Sequence, residues 1–274
     1  MTREITVSSG AGEPVSAVVQ GEGPALVVVH PGGQDVASWD LVAALLQDDF
    51  TILRVRRRLY LPGVPLSPAH SMGIEAADIT AVVRTVEGPV VLVGHSSGAV
   101  AAFESGLCRN LNLAGLIAYE PPMPLDEPFC GQALTRALHA LDEGEPLEAM
   151  RIHLRDIVGM DSSVVTELMD DKDAAQALAA IASRQIADNR SIDALPLGID
   201  RYRQLVIPVA LLEGEWSPKK LRDTSQALAR ELSNAWTVIL RATGHMAHLD
   251  APDELANAIR TQARIMFTTA QTLE

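Results

Sequence analysis

The sequence predicts an α/β fold, a mostly parallel sheet with helices on both faces. Short apolar runs rich in Val, Leu and Ile recur at residues 25–30, 50–55, 90–93, 113–119, 207–212 and 236–240. Segments with the 3.6-residue apolar spacing of helices alternate with them. The runs are continuous rather than polar at every second position, as in strands buried on both faces. In addition, Val90-Val91-Leu92-Val93 passes through Gly94-His95-Ser96-Ser97-Gly98 into an Ala-rich stretch, giving strand, sharp turn and helix with a serine at the apex.

In chain order, residues 4–8 and 15–21 read as two antiparallel strands joined through a Gly-Ala-Gly turn region. Residues 25–30 form a buried strand that ends in His30-Pro31-Gly32-Gly33, and Ser38 is placed to cap a helix over 39–46. The strand at 50–55 leaves through Arg56-Arg57-Arg58, after which Pro62, Pro65 and Pro68 interrupt regular structure. A helix is expected over 73–86, then the serine turn and its helix. The strand at 113–119 stops at Glu120-Pro121-Pro122. From about 128 to 203 the strand signal vanishes and the pattern is helical, too long for a plain connection. Strands return at 207–212 and 236–240, with helices expected over 223–232 and 252–267.

Composition narrows the function. The 274 residues fit one large domain or one domain with an insertion, and 47% hydrophobic content supplies a large core. A formal charge of −13 disfavours nucleic acid and anionic membrane surfaces as partners, and says little about the substrate, since surface charge mainly serves solubility. No run approaches a membrane span, and Met1-Thr2-Arg3-Glu4-Ile5 lacks the apolar core of a signal peptide. Cys108 and Cys130 are the only cysteines, too few for a disulfide scaffold or a four-cysteine zinc site. A cytoplasmic protein is the expectation. No metal motif occurs and no G-x-G-x-x-G follows a strand, so neither a metal nor a nucleotide cofactor is expected. Oligomeric state is not encoded legibly.

The serine turn carries the chemistry. Gly94 and Gly98 let the backbone bend and the helix approach the strand. The turn lifts the Ser96 hydroxyl clear of the sheet, and the following helix N-terminus presents N–H groups and partial positive charge. This is the nucleophile-elbow pattern G-x-S-x-G in its strand–turn–helix setting. In parallel sheets reactive groups collect beyond the carboxyl ends of the strands. His30, Ser96, Glu120, Glu213 and the Gly244-His245 loop all fall there.

With the His30-Pro31-Gly32-Gly33 loop, the elbow, the helical insertion and Gly244-His245-Met246-Ala247-His248 after the last strand, the chain resembles the α/β-hydrolase-fold superfamily, serine-nucleophile branch, over nearly its whole length. The resemblance implies an eight-stranded core from residues 1–124 and 205–274, with residues 125–204 as a helical cap. It implies Ser96 as nucleophile and His245 as base, with His248 a structural second histidine. Many relatives carry an aspartate after the strand that ends near Leu212, but here Ser217 stands where that aspartate is expected. Some place the acid one strand earlier, where this chain has Glu120 followed by two prolines. Glu120 is therefore the first choice of acid, with Glu215 and Glu213 as alternatives. The oxyanion hole falls to the N–H groups of Ser97 and Gly32, or of Gly33 if the loop is shifted, because Pro31 has no N–H.

Other residues carry weaker signals. His30 and His95 read as positioning residues, and His70, His139 and His153 as surface or cap histidines. Arg56, Arg57 and Arg58 read as solvated or internally paired, with bidentate binding of a substrate carboxylate as the functional alternative. Trp39, Tyr60, Met123, Phe129, Met150 and Met160 are candidates for lining a pocket or for the core. The expected activity is hydrolysis of an ester, lactone or thioester of a small organic substrate. An elimination or cyclisation on the same triad, as relatives in bacterial natural-product pathways perform, is the alternative. A serine nucleophile argues against epoxide-hydrolase and dehalogenase chemistry, which needs a carboxylate there.

Overall fold

A computed structural model describes residues 2–10, 12–66 and 70–272. Ala11 of the expected turn and Pro68 of the expected proline break lie outside the described residues. The strands are β1 Arg3–Ser8, β2 Pro14–Gln20, β3 Ala25–Val29, β4 Thr51–Val55, β5 Val90–His95, β6 Leu113–Tyr119, β7 Val209–Gly214 and β8 Ala235–Leu240. They form one eight-stranded sheet in the order β1-β2-β4-β3-β5-β6-β7-β8. The pairs β1–β2 and β2–β4 are antiparallel, and every other neighbouring pair is parallel.

Alternation within β3 sets the two layers. Ala25, Val27 and Val29 join the core on one face, and Leu26 and Val28 join the core on the other. Each such buried valine or leucine contributes about 1.5–3 kcal/mol of transfer free energy. Helices α1 (Asp40–Leu46) and α10 (Pro252–Gln271) cover one face through Val42, Leu46, Leu255, Ile259 and Met266. Helices α2 (Met72–Val83), α3 (Ser97–Gly106) and α8 (Lys219–Glu231) cover the other.

Between β6 and β7 the chain forms α4 (Gly131–Asp142), α5 (Pro146–Ile152), a π-helical turn at His153–Val158, α6 (Ser162–Asp170) and the long α7 (Lys172–Asp193). A four-residue helix, α9 (Ala247–Asp250), precedes α10.

Several boundaries differ from the sequence expectation for local reasons. Ser38 is not the cap before α1: Asp35 accepts the Ala37 N–H and opens a 3-10 turn at Val36–Trp39 that runs into α1. Helix α2 begins at Met72, capped by Ser71, and ends at Val83, after which the chain tightens into i→i+3 bonds at Thr85 and Val86. Strand β7 begins two residues late because Pro208 has no N–H to give, although its carbonyl still accepts from Leu116. Helix α8 starts four residues earlier than expected, directly after Pro218.

Candidate active site

The elbow is built by exclusion of side-chain volume. A Cβ on Gly94 would lie 2.5 Å from the Ala99 Cα, and one on Gly98 would lie 2.3 Å from the His30 carbonyl oxygen. Glycine at both positions therefore lets α3 seat against β5 and against the loop after β3. Ser96 itself has φ 53° and ψ −126°, a backbone region that L-residues rarely occupy. Glu120 (φ 48°) and Ala242 (φ 53°) share the positive-φ condition at the ends of β6 and β8. The fourth such residue, Asn110, is of a type that tolerates it.

Glu120 is fully buried, and its two oxygens have separate partners. Oε1 accepts the Gly214 N–H at 2.7 Å, and Oε2 lies 2.5 Å from His245 Nδ1. The alternative acids are placed otherwise. Glu215 accepts the Ala242 N–H at 2.9 Å. Glu213 is buried with Oε1 unpartnered, and burial raises its pKa above the usual carboxylate range. Ser217, at the expected aspartate position, is buried with its hydroxyl unpartnered.

The His245 loop is held from beneath. The Tyr119 hydroxyl donates to the Gly244 carbonyl, and His95 Nε2 donates to the His245 carbonyl at 2.9 Å. His95 stacks on Tyr119 at 4.6 Å and meets His248 edge-on at 4.7 Å. His248 Nε2 bonds Gln34 Oε1 at 2.7 Å. These histidines support the loop, as expected of them.

Ser96 and His245 line one cavity of about 600 Å³, together with Gly32, Ser97 and Gln34. Among the described residues no hydrogen bond joins Ser96 to His245. The Ser97 N–H, at the first turn of α3, belongs to the four amides a helix cannot satisfy internally. Gly32, Gly33 and Gln34, from the loop after β3, all border the cavity. Of the lining candidates, Phe129, Met150 and Met160 border the cavity, while Trp39 and Met123 belong to the core. Tyr60 is buried behind the Gly32-Gly33 loop.

The arginine run is internally paired, so substrate-carboxylate binding by it is not what the geometry offers. Arg56 pairs with Glu4 and Arg58 with Asp78. Arg57 is wholly buried: Nε donates to Glu75 at 3.0 Å, Nη1 to Ser97 Oγ at 2.8 Å, and Nη2 to both oxygens of Asp188 at 2.9 and 3.1 Å. Asp188, on α7, also accepts from Ser97 Oγ at 2.6 Å and from the Tyr60 hydroxyl at 2.8 Å. Burial opposes ionisation of both groups, but the opposite charge alongside outweighs it. Asp188 is thereby held well below the usual carboxylate range and Arg57 above its own. His70, expected at the surface, instead lies with its side chain buried 3.8 Å from Asp188. The sequence reading missed this cluster, which joins β4's exit, the elbow and the β6–β7 segment.

Four rings are held neutral by loss of water; burial, with His248 and His245 adding to it, pushes His95 well below its usual range. Burial, with the Arg57 charge adding to it, lowers His30 from 6.5 to about 3, and burial lowers His153 and His248 to about 4. The unfolded chain takes up protons below pH 6.5, whereas the folded rings resist until about pH 4. Their stabilising contribution is therefore complete above pH 6.5 and is lost as pH falls through that window. The loss is up to about 1.4 kcal/mol per ring per pH unit. Differential scanning calorimetry should show a Tm that is level above pH 7 and falls steadily from pH 6.5 to 4. A Tm at pH 4.5 equal to that at pH 7 would contradict neutral burial.

The sequence pattern of the alpha/beta hydrolase family matches residues 26–258. The chain belongs to that family. It resembles an alpha/beta hydrolase from Sphaerobacter thermophilus at 25% identity and TM-score 0.80, over 94% of this chain and 99% of that one. It shares the fold of a thermophilic esterase from Thermogutta terrifontis, at 19% identity and TM-score 0.76, over 96% of this chain and 99% of the other. In sequence it is 22% identical over 247 residues, 86% of this chain and 82% of the other, to a Haemophilus influenzae protein named "Putative esterase/lipase". This alpha/beta hydrolase thus has esterase- and lipase-type homologues. Among its described residues no helix is long and apolar enough to cross a membrane.

Proposed function

We propose that this alpha/beta hydrolase is a serine esterase, cleaving an ester, lactone or thioester of a small organic substrate through Ser96, His245 and Glu120. The observation that carries the reading is the 2.5 Å contact between Glu120 and His245 Nδ1, on the wall of the cavity that Ser96 also lines. A carboxylate at Nδ1 keeps the proton there, so Nε2 is free to act as base. A serine hydroxyl is a poor nucleophile without such a base.

The Ser96 oxygen attacks the substrate carbonyl carbon while its proton passes to His245 Nε2. The imidazolium is stabilised by Glu120, and the oxyanion by the N–H groups of Gly32 and Ser97. His245 returns the proton to the leaving alcohol as the C–O bond breaks, giving an acyl-Ser96 ester. Water then attacks that ester, giving its proton to His245, and the acid leaves as Ser96 is reprotonated. Residues 125–204 act as the cap and residues 1–124 with 205–274 as the core. Phe129, Met150, Leu154, Ile157 and Leu178 come from that cap and give the cavity an apolar wall, which supports an uncharged organic substrate. Neither cysteine is in a disulfide, which fits a reducing compartment.

Hydrolysis of p-nitrophenyl esters by wild-type protein and by Ser96→Ala tests the reading. The variant should lose at least about 10⁴-fold in kcat, because the other members of a triad cannot act without the nucleophile. Retention of a tenth of the activity would overturn it.

A further inference from the structure

We propose that His153 determines specificity, its Nε2–H donating a hydrogen bond to an uncharged acceptor oxygen of the substrate remote from the carbonyl under attack. This rests on the esterase reading and adds to it a second recognition point and a substrate class: neutral esters or lactones bearing a ketone, ether, amide or hydroxyl oxygen.

The polarity of the ring is set by a row of side chains on α7. Gln185 Nε2 donates to Asn189 Oδ1 at 3.1 Å, and Asn189 Nδ2 lies 2.9 Å from His153 Nδ1. An amide nitrogen is only a donor, so Nδ1 accepts and the ring proton of the neutral imidazole sits on Nε2. Burial lowers the ring's pKa to about 4, so it stays neutral near pH 7. Asn189 and Gln185 are themselves buried, and Gln185 abuts Tyr60 and the Gly32-Gly33 loop. The row therefore stands against the Arg57–Asp188 cluster, which fixes it.

The free end of the row opens on the site. His153 lines the cavity, and its Nε2 neither bonds a described residue nor is sealed in the interior. An oriented donor among mostly apolar side chains discriminates strongly, because a ligand that offers it no acceptor leaves it desolvated and unpaired. The ring begins the π-helical turn His153–Val158, whose extra residue per turn re-aims side chains relative to α5. Charge limits the ligand: Asp161 and Asp250 line the cavity, and no lysine or arginine does so among the described residues. A carboxylate or phosphate would meet two like charges and no counterion.

Matched esters test this: p-nitrophenyl octanoate against p-nitrophenyl octanoates carrying one oxo group at successive carbons, with a mirror series of octyl acetates carrying the oxo group on the alcohol chain and followed by titration of the released acid. In wild-type protein one position should be preferred over the plain chain by about 3- to 10-fold in kcat/KM, the range of one hydrogen bond. In His153→Phe that ratio should fall to unity or below, and in His153→Gln, which keeps an N–H donor, part of it should return. No preferred position in the wild type, or a ratio unchanged in His153→Phe, would overturn the proposal. If the variants do not fold, nitrogen-15 NMR of the wild-type ring decides, since an Nδ1–H tautomer overturns it and an Nε2–H tautomer supports it. The parent reading fails separately, by absence of Ser96-dependent hydrolysis of plain octanoate.

Discussion

Glu120→Gln is expected to lower kcat about 10⁴-fold, as loss of the histidine's carboxylate does in triads generally, while leaving the fold in place. The magnitude follows from the two contacts Glu120 makes, to the Gly214 N–H at 2.7 Å and to His245 Nδ1 at 2.5 Å. Both partners donate when His245 carries its proton on Nδ1. A carboxylate satisfies two donors, but an amide has one oxygen and one NH₂. If the oxygen faces Gly214, the NH₂ faces His245 and drives its proton to Nε2, where it cannot act as base. If the oxygen faces His245, a buried N–H at Gly214 meets another donor. The negative charge that balances the imidazolium is gone in both cases. Glu215→Gln should stay within a few-fold of wild type, because among the described residues the Glu215 carboxylate bonds the Ala242 N–H and not the His245 ring. Kinetics on one p-nitrophenyl ester, with circular dichroism to verify folding, decides the matter. A Glu120→Gln enzyme within tenfold of wild type, or a Glu215→Gln enzyme as inactive as expected of Glu120→Gln, would move the acid elsewhere.

Arg57→Met is expected to destabilise the protein by about 3–5 kcal/mol, the cost of breaking a buried ion pair from one side. Arg57 is wholly enclosed and serves Glu75, Ser97 and Asp188 at once. Its removal leaves two buried carboxylates facing each other across the cluster with no arginine between them. At about 2–4 °C per kcal/mol for a domain of this size, Tm should fall by roughly 6–20 °C. Arg56→Met, whose partner Glu4 is half exposed at 51%, should change Tm by no more than about 2 °C. Activity should fall further than stability explains, since Asp188 and Ser97 tie α7 to the elbow. Thermal denaturation of the two variants side by side checks this. Equal Tm values for both would mean that the buried cluster contributes little to stability.

The parts of the site legible in the sequence are those written in local pattern. The elbow could be read because its two glycines and its serine stand at fixed spacing between a β-branched run and an Ala-rich stretch. His245 could be read because it follows a glycine after a strand, and the strands because their apolar runs are continuous. That the strands make one eight-stranded sheet followed from the family resemblance rather than from any single run. Glu120 was harder, since which strand-end loop supplies an acid depends on where loops meet in space. Its signal was indirect: a glutamate directly beyond β6, with two prolines after it and a serine where an aspartate is usual.

The Arg57–Asp188 cluster was not legible, because its members lie 131 residues apart and share no spacing. A trace of it exists in α7. Gln185, Asp188 and Asn189 fall on the same helical stripe as Ile181 and Ile192, polar side chains where the period calls for apolar ones. Such a stripe marks a buried polar network and would have pointed to Gln185 and Asn189, and through them to His153.

A Ser96 oxygen made nucleophilic by His245 under the hold of Glu120 should react with an electrophilic phosphorus centre. Covalent labelling by a fluorophosphonate, followed by peptide mass spectrometry, measures this most directly, because the phosphonyl group reports the activated oxygen whatever the natural substrate. A single adduct is expected on the peptide containing Ser96, none in Ser96→Ala, and labelling slowed by orders of magnitude in His245→Ala and Glu120→Gln. Labelling that persists in Ser96→Ala, or that proceeds at the wild-type rate without His245, would contradict it.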